Sequence, residues 1–135
     1  MKKLYRLFIL LVLGILVGCN VKVIPKEEVK KEIPFVILGK EVIPEEIKKL
    51  IEEKKEEQIK LTYVDEQKRY IIIGYGKQNT GGYSIYIKEL YATDNAIYVD
   101  TSLISPEKKI EKEKIPSYPV MVIQITEMAL PVVFR

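Results

Sequence analysis

The chain has 135 residues, one cysteine and no histidine, and its 22 basic and 19 acidic residues give a net charge of +3. Three of the basic residues lie among the first six, so residues 19–135 carry 19 charges of each sign. A chain with this balance lacks the clustered cationic surface that nucleic-acid binding requires. Without histidine, Ser-His-Asp and Cys-His catalysis and the usual zinc sites are excluded. We therefore expect a protein that is not an enzyme and holds no metal or cofactor.

The N-terminus has the organisation of a bacterial export signal. The basic stretch Met1–Arg6 precedes an apolar run, Leu7–Val17, which is the pattern that export machinery reads. This run is shorter than the roughly 20 apolar residues of a transmembrane helix. The following segment, Leu16-Val17-Gly18-Cys19, resembles a lipobox, which implies cleavage before the cysteine and transfer of lipid to its thiol. We predict a signal peptide at 1–18 and a lipidated Cys19 that holds the protein, outside the cytoplasm, at a membrane of the bacterial cell envelope. The alternative is an uncleaved signal anchor.

Residues 19–33 mix charges with isolated aliphatic residues and are predicted to form the lipidated N-terminus and a tether. An edge strand at Val21–Ile24 is the alternative for this segment. The apolar run Pro34–Leu38 ends at Gly39 and is typical of a short strand. A single domain is therefore expected from residue 34 to residue 135.

A helix is predicted over residues 44–57. Pro44 suits the first helical position, and the acidic residues after it suit the positive end of the helix dipole. Apolar side chains recur at Ile47, Leu50 and Ile51. This spacing forms one narrow stripe, so the helix should pack on a sheet by a single face.

The rest of the chain has the two-residue period of strands. Ile71–Ile73 is apolar on both faces, which indicates a central strand. Asp94-Asn95 suits a two-residue hairpin turn because both residue types tolerate φ > 0. A charged loop is expected at 106–117. Further strands are predicted at 59–64, 69–75, 83–91, 96–104, 118–126 and 132–134. The expected fold class is α+β: a mostly antiparallel β-sandwich or half-barrel of about seven strands with one amphipathic helix.

A glycine-rich loop, Gly76–Tyr83, connects two of these strands and permits close backbone approach. Together with later segments it resembles the C-terminal domain of the PrcB family of protease-complex lipoproteins, over residues 69–135. The sequence departs from the family in having Asn79 where proline is frequent and Val120 where an aromatic residue is common. The segments that carry the resemblance are Gly74-Tyr75-Gly76, Thr80–Ile85, Ala96–Asp100, Ser105-Pro106, Ser117–Ile123 and Pro131–Phe134.

The resemblance implies a non-catalytic accessory role that stabilises a secreted or surface protease. We expect the chain to be a protein-interaction module. The residues predicted to contact its partner are Thr80, Gly81, Gly82, Tyr83, Tyr118 and Pro119. Amphipathic tyrosines favour such interfaces, although cross-strand packing is an equally simple reason for them. The tyrosines in question are Tyr83, Tyr86, Tyr91, Tyr98 and Tyr118.

Three other functions are compatible with the sequence. The loop 79–83 is faintly similar to the Thr-Gly-aromatic loop of chagasin-type cysteine-protease inhibitors. A free strand edge, such as Val132–Phe134, could add a strand from a partner. A purely structural envelope lipoprotein is the third.

Overall fold

A computed structural model describes residues 28–107 and 114–135 of the chain. The predicted signal peptide, Cys19, the alternative strand Val21–Ile24 and part of the charged loop lie outside the described residues. Within the described ranges, no helix is both long and apolar enough to cross a membrane.

Eight strands in the described residues form two four-stranded sheets, with the orders β1-β5-β6-β8 and β2-β7-β4-β3. Every neighbouring pair is antiparallel except β6 and β8, which run parallel. One α-helix, α1 (Glu45–Lys54), and a 3₁₀ turn, Lys40–Val42, precede β3. The strands are β1 (Lys31–Glu32), β2 (Val36–Ile37), β3 (Gln58–Asp65), β4 (Lys68–Tyr75), β5 (Ser84–Ala92), β6 (Ile97–Ile104), β7 (Val120–Thr126) and β8 (Val132–Phe134).

The two sheets and the helix form three layers, with the β2-β7-β4-β3 sheet in the middle. Between the sheets, Ile71 and Ile73 of β4 pack with buried residues of β5, β6 and β7. On its other face β4 presents Tyr70 and Ile72, which pack with the fully buried Ile47 of α1. Strand β4 is therefore covered on both sides, as its uninterrupted apolar run predicts.

The predicted fold class is confirmed: a mostly antiparallel α+β fold of two packed sheets with one helix. The sheets do not close into a barrel, and the described residues contain eight strands where about seven were expected. The single-face packing of the helix is also confirmed, since Ile47 is buried while most of its neighbours are exposed.

Three local predictions need correction. Pro44 has φ −55° and ψ 146° and lies at the N-cap rather than inside the helix, which ends at Lys54 instead of residue 57. Lys31 and Glu32, assigned to the tether, pair with Ala92 and Tyr91 of β5. The β5–β6 hairpin turns at Asp94-Asn95, but neither residue has positive φ.

The physical reason for this last difference is a side-chain cap. The Thr93 hydroxyl accepts hydrogen bonds from the backbone N–H of Asn95 at 3.2 Å and of Ala96 at 3.3 Å. A threonine hydroxyl can thus hold a turn without left-handed backbone.

Candidate functional site

An open groove of about 720 Å³ lies between α1 and the loops that precede β5 and β7. This volume is within the range of ligand-binding clefts in proteins. We call it the helix groove. It is lined by Lys40, Ile43, Lys48, Ile51, Glu52, Lys55, Gly82, Tyr83, Ser117, Tyr118, Pro119 and Val120.

One wall of the groove is formed by side chains of α1 that recur at helical spacing. Lys48, Ile51, Glu52 and Lys55 stand at i, i+3, i+4 and i+7, so their side chains share one face. This face lies beside the buried stripe that contains Ile47. The charged side chains therefore flank an apolar contact instead of pointing away from the fold.

The opposite wall forms because hydrogen bonds join two loops that are far apart in sequence. Gln78 N–H donates to the Ser117 carbonyl at 2.8 Å, and Ser117 N–H donates to the Gln78 carbonyl at 3.0 Å. The Ser117 hydroxyl also donates to the Thr80 carbonyl at 2.6 Å. These three bonds bring the glycine-rich loop against the segment that contains Tyr118, so residues far apart in sequence share one wall.

Gly82 shapes the end of this wall. Its φ of +86° is in the left-handed region that favours glycine. A Cβ at this position would lie 2.9 Å from Cβ of Pro106, which is too close for a normal contact. Only glycine thus fits where the chain turns toward Tyr83.

Tyr118 connects the two walls electrostatically. The Lys55 ammonium lies 4.8 Å from the centroid of the Tyr118 ring, within cation–π range. The Tyr118 hydroxyl donates to Glu56 Oε1 at 3.2 Å. Lys55 Nζ also donates to Glu52 Oε2 at 2.9 Å, and this hydrogen bond raises the pKa of the Lys55 ammonium above its usual value. The rim at Tyr118 is therefore an ordered set of charges around an aromatic ring.

Four of the six predicted contact residues meet in the helix groove: Gly82, Tyr83, Tyr118 and Pro119. Thr80 and Gly81 do not line it. Thr80 supports the wall through its carbonyl, while Gly81 is exposed and has open space where a Cβ would stand.

The residues contributed by α1 and the segment before it were not among those predicted from the sequence to contact a partner. Helical spacing places Lys48, Glu52 and Lys55 on one face. Only the tertiary structure shows that this face lies opposite Tyr118.

The remaining tyrosines divide between packing and exposure. Tyr91 and Tyr98 are cross-strand partners whose rings stack with centroids 5.1 Å apart. Tyr91 is buried, and Lys30 Nζ lies 4.5 Å from its ring centroid. Tyr86 is 58% exposed and lies outside the helix groove. Cross-strand packing thus explains the Tyr91–Tyr98 pair, and Tyr83 and Tyr118 are the tyrosines of the groove.

The groove combines apolar and charged side chains. Its floor is apolar, with Ile43, Ile51 and Val120, and its rim carries lysine and glutamate side chains. In the described part of the chain, no three His, Cys, Asp or Glu side chains are grouped so that they could hold a metal ion. An apolar floor with a polar rim is the usual anatomy of a protein–protein contact.

The fold and the groove define a two-sheet α+β domain with an open amphipathic cleft. Residues 69–126 match the model of the family described as PrcB C-terminal, which confirms the predicted resemblance over that segment. No curated protein and no solved structure matches the chain. The matched segment begins in β4 and ends with β7. It thus contains the Tyr83–Tyr118 wall, whereas α1 precedes it.

Proposed function

We propose that this protein is a membrane-anchored lipoprotein that acts as a non-catalytic accessory or stabilising subunit of an extracytoplasmic protease complex, and that the helix groove contacts its partner. The PrcB C-terminal family match supports a protease-complex subunit. The predicted lipobox supports the anchor at Cys19 and a location in the cell envelope.

The observation that carries the assignment to the groove is a convergence. Tyr83 and Tyr118 are 35 positions apart in sequence, yet both line one concave surface, beside an apolar floor. Both side chains are half-buried, which leaves part of each aromatic surface available. Tyrosine side chains are among the residues that most often act as energetic anchors of interfaces.

A capture experiment tests the groove. The full-length protein is recovered from detergent-solubilised membranes of its own organism, and associated proteins are identified by mass spectrometry and assayed for proteolysis of casein. We expect the wild type to retain a protease and a Tyr83→Ala/Tyr118→Ala variant to lose most of it, since each anchor contributes about 2 kcal/mol or more.

Val64→Ala is the matched control. Val64 is 48% exposed on β3 and lies outside the groove, so this variant should recover the same proteins as the wild type. Equal recovery by the groove variant and the wild type would refute the groove as the contact surface. Recovery of no protease by the wild type would refute the accessory role.

The anchor is tested separately by metabolic labelling with palmitate. The wild type should incorporate label, whereas Cys19→Ser should not, because the cysteine thiol is the acceptor for the lipid. Labelling of the Cys19→Ser variant would disprove this site.

A further inference from the structure

Strand β5 has an unpaired edge within the described residues. On one side, β6 pairs with β5 along its length, with an irregularity between Ile87 and Glu89. On the other side β1 is the only neighbour among residues 28–107 and 114–135, and it pairs with Tyr91 and Ala92 alone. Alternate backbone N–H and C=O groups of a strand point to each side. The segment Ser84–Ile87 therefore directs backbone donors and acceptors toward an edge without a strand.

This edge carries no charge. Exposed strand edges are usually guarded against further pairing by lysine, proline or other charged residues. The free edge of β3 follows this rule, because Lys60 and Asp65 are exposed along it. Ser84-Ile85-Tyr86-Ile87 has no such guard, and the first charge is Lys88 at the irregularity.

The edge also borders apolar surface of the second sheet. A small cleft of about 220 Å³ lies between Ile37 and Leu38 on one side and Ser84 and Ile85 on the other. Phe35, Val36 and Ile37 are 44%, 56% and 50% exposed. A sandwich normally covers such side chains, so this seam between the sheets has both unpaired backbone and uncovered apolar groups.

We propose that the seam binds an extended, uncharged segment of the partner protein by strand addition to Ser84–Ile87. Such a segment would satisfy the free backbone groups and place alternate apolar side chains toward Ile37 and Ile85. This inference rests on the proposed function, because the seam adjoins the helix groove through Tyr83, Pro119 and Val120.

A second copy of the chain is a poorer occupant. The free edge covers only four residues before Lys88. Pairing of two such short edges would bury much less than the roughly 800 Å² per subunit that a stable interface buries. A partner seated in the adjoining groove would supply the rest of the contact area.

Amide hydrogen exchange of the full-length protein in detergent micelles tests the seam without the natural partner. The probe is a capped peptide of alternating valine and threonine, with one lysine at each end. We expect it to slow exchange of the amides within Ser84–Ile87. A control peptide with the same side chains, N-methylated at alternate amides, should bind about tenfold more weakly or worse, because it cannot form the strand hydrogen bonds.

Two variants complete the test. Tyr86→Lys adds a guarding charge and should abolish protection by the probe. Thr62→Lys adds the same charge to exposed β3 and should leave it intact. Protection confined to Ser84–Ile87 that is lost with Tyr86→Lys supports the proposal. Absence of protection, equal binding of the N-methylated peptide, or concentration-dependent self-association through this edge overturns it. Tyr118→Ala, at a residue that lines the helix groove but not the seam, should still bind the probe, so the failure of either surface is distinguishable from that of the other.

Discussion

Arg69, at the start of β4, and Glu127, the residue after β7, form a bidentate ion pair. Arg69 Nε donates to Glu127 Oε2 at 2.8 Å and Nη2 donates to Oε1 at 2.7 Å. The side chains are only 12% and 19% exposed. Arg69 also donates to the Leu130 carbonyl, and Ala129 N–H donates to Glu127 Oε1 at 2.6 Å. The pair therefore holds the turn that leads into β8.

Glu127→Gln should lower the free energy of unfolding by about 1–3 kcal/mol, because it removes the charge from a paired and largely desolvated site. Urea denaturation followed by circular dichroism measures this loss. Glu45→Gln is the control, since the Lys48–Glu45 pair is more exposed and such pairs contribute little. Equal midpoints for Glu127→Gln and the wild type would show that the pair does not stabilise the fold.

The same pair makes stability depend on pH. The hydrogen bond from Arg69 lowers the pKa of Glu127 below its ordinary value of 4.5. A carboxyl group with a depressed folded-state pKa contributes stability that is fully present above the unfolded-state pKa and is lost as pH falls through the folded-state pKa. We expect the urea midpoint of the wild type to drop below pH 4.5 more steeply than that of Glu127→Gln. Parallel pH profiles would contradict the linkage.

Gly82→Ala should destabilise the protein by about 1–2 kcal/mol, the approximate cost of a left-handed residue with a side chain. The close approach of Pro106 adds to this strain. Gly81→Ala provides a neighbouring control, because its Cβ would meet nothing within 4 Å and its φ is not positive. Thermal unfolding of both variants should therefore separate them, with Gly81→Ala close to the wild type. Equal unfolding temperatures would show that the turn at Gly82 tolerates a side chain.

Ile47→Ala tests the third layer. Ile47 is fully buried between α1 and the middle sheet, so its truncation should cost about 2–5 kcal/mol. Val42→Ala, at a position 65% exposed in the preceding 3₁₀ turn, should change stability by less than about 0.5 kcal/mol. If Ile47→Ala unfolds like Val42→Ala in urea, α1 does not pack as the structure describes.

Periodicity in the sequence predicts much of the fold. The apolar run Ile71–Ile73 predicts a strand covered on both faces, and β4 is that strand. The stripe that includes Ile47 predicts the buried side of the helix. Such predictions succeed because the apolar residues of a buried face recur about every 2 residues in a strand and every 3.6 residues in a helix.

The candidate site is predicted only in part. Gly82, Tyr83, Tyr118 and Pro119 stand out as a glycine turn and aromatic segments, and they form one wall of the groove. The other wall comes from α1, where lysine and glutamate at helical spacing have the same pattern whether they face water or a neighbouring loop.

The sequence by itself therefore determined most of the longer strands, the presence of the helix and the apolar face of the helix, because these properties depend on residues close together along the chain. The tertiary structure decided that Arg69 meets Glu127, that Lys55 lies over Tyr118, and that β1 pairs with β5 at Tyr91 and Ala92. Each of these relationships joins residues from separate elements. It depends on the order and register in which the elements pack, which no local pattern encodes.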